Sequence, residues 1–139
     1  LKEAILAFRI ERALSKERIL ELYLNQIYLG EGTYGIASAS LKYFDQSINE
    51  LGYEEAALLA ALPKAPSKYN PYKDINVAKF RRNLVLSNLL YNNYLEIKNY
   101  NELINREIKL NKRNIILFFS YQITSKLESI FYLQSSKVL

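Results

Sequence analysis

The chain has 139 residues, which is enough for one domain with a hydrophobic core and too few for two independent ones. Its 50% hydrophobic and 24% charged residues are typical of a folded globular protein. It contains no Cys and no His, which excludes disulfides, thiolate metal sites and histidine acid–base chemistry. Any catalysis must therefore use carboxylates, Lys, Arg, Tyr or hydroxyl groups.

The net charge of +5 is distributed unevenly along the chain. Residues 1–60 carry 6 basic and 9 acidic side chains, whereas residues 61–139 carry 13 basic and 5 acidic ones. The basic second half favours a polyanionic partner such as nucleic acid, anionic lipid or a diphosphate. The alternative is a solvated basic surface without a ligand. No stretch approaches the roughly 18 apolar residues that a membrane-spanning helix needs.

The first two predicted helices occupy residues 1–13 and residues 16 to about 29. The chain has no Met and begins inside a helical pattern, so we expect a fragment that lacks its N-terminal portion. Ser15 is a predicted N-cap for the second helix, and Gly30 is expected to end it at the C′ position. The second helix is expected to bury an apolar face made of Ile19, Leu20, Tyr23, Leu24, Ile27 and Tyr28.

A loop with three glycines, residues 30–35, precedes the next helical segments, because glycine permits positive φ and close backbone approach. Helix is predicted for residues 36–44, a capping box for residues 47–50, and an Ala-rich helix for residues 54–62, ended by Pro63.

Residues 64–72 form a basic, aromatic segment punctuated by prolines, which is predicted to be a loop. Asp74 is expected to cap a long helix to about Tyr91, followed by a helix over residues 97–110. The inward-facing residues expected of the long helix are Val77, Phe80, Leu84, Val85 and Leu89. We find no strand pattern before residue 113, so the predicted class is all-α, with residues 1–113 as one domain and residues 114–139 as an unassigned tail.

Several residues have the chemistry of a site when taken alone. Glu3 beside Lys2 pairs a carboxylate with an ammonium, which suits a cation or a leaving diphosphate, although surface pairs of this kind are common. Residues 64–72 suit a phosphate or sugar, with a plain connector as the alternative. The i, i+4 pair Glu21 and Asn25 is expected to form a buried hydrogen bond that fixes the glycine loop. Arg81 and Arg82 are expected to be solvated.

Three segments, in order, resemble motifs of the peptidoglycan glycosyltransferase domain of class A penicillin-binding proteins. Residues 1–12, LKEAILAFRIER, resemble the third motif R-K-x-x-E, whose glutamate is Glu3 and whose Arg-Lys we expect just before Leu1. Residues 16–30, KERILELYLNQIYLG, match the fourth motif K-x-x-I-L-E-x-Y-L-N-x-x-x-x-G at every defined position. Residues 81–89, RRNLVLSNL, resemble the fifth motif R-x-x-x-V-L-x-x-M. In this chain Asp45-Gln46 stands where the family usually has Gly-Lys, which removes a residue suited to positive φ.

The resemblance implies a lysozyme-like, mostly helical fold at the periplasmic face of a bacterial inner membrane. It implies polymerisation of lipid II into glycan strands, with the growing chain and membrane lipid as further partners of the parent protein and undecaprenyl diphosphate as the released product. No nucleic-acid partner is expected. The family's general base belongs to a motif, E-D-x-x-F, that this sequence does not contain, so we expect the fragment to be inactive alone.

The resemblance also implies roles for individual residues. Glu3 corresponds to the second catalytic carboxylate, which assists departure of the diphosphate or holds a divalent cation such as Mg²⁺ or Mn²⁺. Lys2, Lys64 and Arg81 are expected to bind the substrate diphosphate. The fourth-motif residues expected to serve as scaffold are Glu21, Tyr23, Asn25 and Gly30.

Three rival functions remain open on the sequence alone. A lytic transglycosylase shares the lysozyme-like fold but cleaves glycan and needs neither the fourth-motif pattern nor a lipid-diphosphate site. A helical nucleic-acid binder would explain the basic half and the 12 Tyr residues. A non-catalytic remnant that docks to a membrane or to another synthase is the third.

Overall fold

The computed structural model describes residues 2–111, which form six α-helices and two 3₁₀ turns. Within this part of the chain the only β feature is an isolated bridge between Tyr28 and Tyr34, so the all-α prediction is confirmed. None of the helices in the described part is both long and apolar enough to cross a membrane. The predicted tail, residues 114–139, lies outside the described residues. The α-helices are α1 (Lys2–Ala13), α2 (Lys16–Gln26), α3 (Ile36–Phe44), α4 (Tyr53–Ala61), α5 (Ile75–Tyr91) and α6 (Ile97–Leu103), and the 3₁₀ turns are Ile48–Glu50 and Leu62–Lys64.

The predicted helix starts are confirmed by their capping hydrogen bonds. The Ser15 hydroxyl accepts from the Arg18 amide at 3.3 Å. The Ser47 amide donates to the Glu50 carboxylate at 2.7 Å, completing the expected capping box around the first 3₁₀ turn. The Asp74 carboxylate accepts from two amides in the first turn of α5.

The end of α2 differs from the prediction. The helix stops at Gln26 instead of Leu29, because Ile27 is extended and its carbonyl accepts a hydrogen bond from the Gly35 amide at 2.9 Å. Gly30 is therefore not the C′ residue of the helix. It lies instead in the following loop, at a φ of 89°.

The predicted buried face of α2 is also wrong, since no residue of α2 is buried. Leu20 and Tyr23 are 55% and 51% exposed. The apolar side of the helix does face inward, but it lines an open groove of about 420 Å³ shared with α3 and α4. The spacing of the apolar residues therefore predicted which side of α2 faces the other helices, but that side is less buried than predicted.

The larger of two hydrophobic clusters joins α3, α4 and the segments that flank them. The smaller cluster lies between α4, α5 and the α6 region and contains Ala57, Leu86, Leu95 and Leu103. Two fully buried alanines of α4, Ala57 and Ala61, allow α5 to pack closely against it. The buried members of the larger cluster are Leu29, Ala39, Tyr43, Phe44, Leu58, Leu59, Leu62, Tyr72 and Ala78.

The inward face of α5 is only partly as predicted. Val85 and Leu89 pack against the smaller cluster, whereas Phe80 is 65% and Leu84 40% exposed. The buried stripe of the helix consists of Ala78, Arg82 and Leu86, spaced four residues apart. Because Arg82 lies at the centre of the buried stripe, the buried side of α5 differs from the predicted apolar face.

Arg82 is 1% exposed, so the expectation that it is solvated is wrong. Its guanidinium donates to the carbonyls of Leu103, Ile104 and Arg106, at 3.4, 3.3 and 2.9 Å. These carbonyls lie at the C-terminal end of α6, where helix carbonyls lack partners and the helix dipole favours a cation. Burial lowers the pKa of Arg82, and the nearby carboxylate of Glu54 counteracts this effect.

The same contacts explain why α6 ends at Leu103 and not, as predicted, at Leu110. The chain leaves the helix where Arg82 takes its carbonyls, and residues 104–111 then run back towards α3. Ile108 and Leu110 pack against the larger cluster. The Asn111 amide donates to the Tyr43 carbonyl at 2.7 Å.

The glycine loop is held against α3 by Tyr43, which is fully buried. The Tyr43 hydroxyl donates to the Leu29 carbonyl at 2.9 Å. A Cβ at Gly30 would lie 2.8 Å from that hydroxyl, so the loop and the phenol ring can approach each other only because residue 30 is glycine.

At the C-terminal end of α3, Asp45 adopts a left-handed conformation with φ 60° and ψ 35°. A positive-φ C-cap is thus present although this position holds Asp instead of Gly. Asp tolerates this region better than most residues with a side chain.

We predict that replacing Arg82 by Met lowers the free energy of unfolding by about 3 kcal/mol, because the Arg106 carbonyl loses its donor and the carbonyls of Leu103 and Ile104 each lose one of two donors. The measurement is urea denaturation followed by circular dichroism. Arg81→Met is the matched control on the same helix and should cost under about 1 kcal/mol. Equal losses for the two variants would contradict the structural role of Arg82.

We predict that Gly30→Ala destabilises the fold by about 2–4 kcal/mol, because it combines backbone strain with displacement of the Tyr43 hydroxyl. Gly32→Ala is the control, since Gly32 also has a positive φ but a Cβ there meets no atom within 4 Å. It should cost about 1 kcal/mol. If thermal unfolding shows similar losses for both, the Gly30–Tyr43 contact does not constrain the loop.

Candidate functional site

The basic segment over residues 64–72 is non-helical, as predicted, and consists of successive turns. It follows α4 through the 3₁₀ turn that carries Pro63. The Ala65 carbonyl accepts from the amides of Lys68 and Tyr69, and the Asn70 carbonyl accepts from those of Lys73 and Asp74. These backbone bonds give the segment a defined shape before α5 begins.

Asn70 anchors the segment to the glycine loop. It is 2% exposed, its amide nitrogen donates to the Glu31 carboxylate, and its side-chain oxygen accepts from the Tyr72 amide at 2.9 Å. The Tyr72 ring stacks on Tyr43 with a centroid distance of 5.5 Å. The segment is therefore fixed to α3 and to the glycine loop by buried polar and aromatic contacts.

Sequence reasoning missed Glu31 and Asn70 as positioning residues. The two are 39 positions apart, and neither falls within a periodic pattern or a quoted motif. The one signal available was an Asn before a proline in a basic segment, which is equally typical of an ordinary turn. Their pairing became visible only when the glycine loop and the basic segment were placed together.

Arg81 lies against this segment. Its guanidinium carbon is 5.5 Å from the centre of the Tyr69 ring, and the Lys68 ammonium is 5.8 Å from the same centre. Cations at this distance are attracted by the face of the ring. The structure thus brings Arg81 to the segment that also carries Lys64. We call Lys64, Lys68, Tyr69 and Arg81 the cationic patch.

The three charged members of the cationic patch form no ion pair with any described residue. Arg18 pairs with Glu21, Lys79 with Glu107, and Arg106 with two glutamates, whereas other described cations, among them Lys73, Lys98 and Lys109, also form no ion pair. The patch is distinguished by the grouping of Lys68 and Arg81 around one aromatic ring. Lys64 and Lys68 are exposed, and Arg81 is half-buried. Unneutralised positive charge of this kind attracts anionic ligands.

Glu3 lies in the first turn of α1, with its side chain exposed. Lys2 begins this helix. Every side chain of α1 that the structure describes is exposed. No described hydrogen bond or ion pair joins Glu3 to the cationic patch. The predicted site residues are therefore brought together only in part: Arg81 with the segment of Lys64, but not with Glu3.

The described residues do not form a self-contained site for a divalent cation. No group of three or more acidic side chains between residues 2 and 111 lies close enough together to bind one. Glu3 alone supplies one carboxylate, whereas Mg²⁺ requires octahedral coordination. An ion at Glu3 would therefore depend on ligands from outside this part of the chain.

The fourth-motif residues occupy the C-terminal half of α2 and the loop beyond it. Glu21 accepts a hydrogen bond from Arg18 at 2.7 Å, and both Glu21 and Asn25 are exposed. The expected buried hydrogen bond between Glu21 and Asn25 is therefore wrong, because Arg18, one turn earlier, takes the carboxylate instead.

The backbone of Asn25 has a clear spatial constraint. Its carbonyl oxygen would lie 2.5 Å from a Cβ at Gly35, so the end of α2 and the end of the glycine loop approach each other closely. Tyr23 lines the apolar groove together with Leu24 and Ile27. The motif residues thus surround the junction between α2 and the glycine loop.

Comparisons with known proteins identify the family. The model of the transglycosylase family matches residues 1–90. Penicillin-binding protein 1A of Aquifex aeolicus is 50% identical over 121 residues, which are 87% of this chain and 17% of that protein. Penicillin-binding protein 1A of Neisseria flavescens is 47% identical over 106 residues, which are 76% of this chain and 13% of that protein.

The crystal structure of penicillin-binding protein 1A from Haemophilus influenzae matches with a TM-score of 0.68 and 43% sequence identity, covering 70% of this chain and 15% of that one. This similarity confirms the lysozyme-like helical fold. The chain spans less than a fifth of the length of the relatives it matches. Because the family model covers well over half of its residues, the chain belongs to the transglycosylase family.

Proposed function

We propose that the chain is part of a peptidoglycan glycosyltransferase that polymerises lipid II into glycan strands and releases undecaprenyl diphosphate. The observation that supports this most directly is the cationic patch, whose charges are unpaired and whose supporting segment is fixed by buried contacts. Such an arrangement suits the diphosphate of a lipid-linked sugar. Family membership and the three motifs support the same function.

The reaction joins two sugars by substitution at an anomeric carbon. The 4-hydroxyl of the acceptor sugar attacks the anomeric carbon of the growing chain, and the bond from that carbon to the diphosphate oxygen breaks. A general base takes the hydroxyl proton, and the departing diphosphate takes the electron pair of the broken bond. Positive charge held near the departing oxygens stabilises the transition state.

In this scheme the cationic patch binds the diphosphate. Arg81 presents a planar group held against Tyr69, while Lys64 and Lys68 supply mobile charges on the same segment. From its place in the third motif, Lys2 is proposed to bind the diphosphate of the donor. The general base belongs to the first motif, which these 139 residues do not contain. The full reaction is therefore proposed for the parent protein.

Glu3 is proposed as the second carboxylate of the site, assisting departure of the diphosphate. A Mg²⁺ or Mn²⁺ ion at Glu3 would need its remaining ligands from diphosphate oxygens and water.

We place the parent protein at the periplasmic face of a bacterial inner membrane, with lipid II, the growing glycan chain and membrane lipid as its partners. A nucleic-acid partner is not proposed, although the charge of the cationic patch would also attract one. Duplex DNA is therefore a competitor in the binding experiment that tests the patch. A docking remnant without diphosphate preference would bind any anionic surface equally.

We predict that the chain binds vesicles of neutral phosphatidylcholine doped with undecaprenyl diphosphate. Arg81→Gln and Lys64→Gln should each weaken the binding about fivefold, because one cation near an anionic surface contributes on the order of 1 kcal/mol. Co-sedimentation at physiological salt measures the dissociation constant.

Lys79→Gln is the matched control, since it removes a cation from α5 that is already paired with Glu107 at 2.7 Å. It should leave binding nearly unchanged. The proposal is contradicted if Lys79→Gln weakens binding as much as Arg81→Gln does, or if duplex DNA competes more strongly than soluble diphosphate at the same salt concentration.

A further inference from the structure

A concave surface distinct from the apolar groove and from the cationic patch lies where α4 begins and α5 ends. It is an open depression of about 650 Å³ between Tyr53 and residues 90–99. The patch lies beyond the opposite end of α4, and Arg81 is nine residues, or roughly 13 Å along the helix, from Leu90. The two surfaces are therefore separate.

The side chains lining this surface combine aromatic rings with amides. Tyr53 is 54% and Tyr94 74% exposed, and Asn93 and Asn99 present their amide groups to solvent. None of these four side chains has a hydrogen-bond partner among the described residues. Two large rings and two amide groups thus line one open depression, where they are exposed to solvent.

The backbone beneath these side chains is fixed. The Tyr94 amide donates to the Leu89 carbonyl at 2.9 Å, and the Asn93 amide donates to the Leu90 carbonyl at 3.0 Å, closing the end of α5. Leu95 is 6% exposed and belongs to the smaller hydrophobic cluster. The backbone that carries these side chains is therefore preorganised, so binding a ligand would order the side chains but not the backbone.

We propose that this surface binds a neutral oligosaccharide, with sugar rings stacked on Tyr53 and Tyr94 and with their hydroxyl or acetamido groups bonded to Asn93 and Asn99. A tyrosine ring presents an apolar face to the C–H groups of a pyranose and a polar edge to its hydroxyls. Amides donate and accept at once, which matches the mixed character of sugar substituents. The site does not depend on the proposed diphosphate chemistry.

The charge and backbone of the surface disfavour other ligands. Its described lining contains Glu96 and no Lys or Arg, so a phosphorylated ligand or nucleic acid would find repulsion and no cation. A peptide that binds by strand addition needs unpaired backbone groups at a sheet edge. The described lining consists mostly of helix ends and turns, and the amides of Asn93 and Tyr94 already donate to carbonyls of α5.

The test uses chitotetraose, an uncharged oligosaccharide of N-acetylglucosamine, and the whole 139-residue chain. Saturation-transfer NMR should show transfer to the sugar ring protons, and a titration should give a dissociation constant. We expect Tyr94→Ala and Tyr53→Ala each to weaken binding about five- to tenfold, through loss of a stacking face. Asn99→Ala should weaken it as well.

Tyr91→Ala is the matched control, since Tyr91 is 86% exposed on the same helix end but does not line the surface. It should bind as the unaltered chain does. Binding of undecaprenyl diphosphate vesicles should be unchanged in Tyr94→Ala, which separates this site from the cationic patch. Absence of transfer, or equal losses for Tyr91→Ala and Tyr94→Ala, would overturn the proposal.

Discussion

The fold depends on Tyr43, a fully buried residue that connects α3 to three other parts of the chain. Its hydroxyl bonds the glycine loop at Leu29, its ring stacks on Tyr72, and its carbonyl accepts from the amide of Asn111. Removing any one of these contacts leaves a buried polar group or a gap beside the others. The glycine loop and the basic segment hold their relative positions because both are attached to this residue.

The proposed site depends on that arrangement. Glu31 belongs to the glycine loop and Asn70 to the basic segment, and their hydrogen bond joins the same two segments that Tyr43 contacts through Leu29 and Tyr72. Arg81 then reaches the segment from α5 through Tyr69. A chain of short contacts therefore connects the fourth motif, through a buried aromatic pair, to the cations expected to meet the diphosphate.

Local signals were sufficient to predict the helices, their N-caps and the Pro-punctuated segment. Ser15, Ser47 and Asp74 act through neighbours two or three residues away, so the sequence contains both partners of each bond. The ends of α2 and α6 were mispredicted because they are decided by distant groups. Gly35 takes the carbonyl of Ile27, and a guanidinium of α5 takes the carbonyls that end α6.

The adjacent residues Arg81 and Arg82 show most clearly that contacts with distant parts of the chain cannot be predicted from local sequence. Side-chain chemistry and local pattern predicted the same solvated state for both, yet Arg81 contacts Tyr69 at the cationic patch and Arg82 is 1% exposed beneath α6. The difference follows from a rotation of about 100° between successive helix residues, combined with the position of α6. The motif resemblance predicted the importance of Arg81, and only the packing of α6 assigns a separate role to its neighbour.

The buried phenol also sets an alkaline limit on the fold. Burial raises the pKa of Tyr43, with the charge of Glu31 adding to the effect. An unfolded tyrosine ionises near pH 10, so the folded state binds this proton more tightly and loses stability as the pH rises above that value. Since the chain contains no Trp, the ultraviolet absorbance of tyrosinate is not obscured by indole, and late ionisation of Tyr43 would report directly on the opening of the glycine loop.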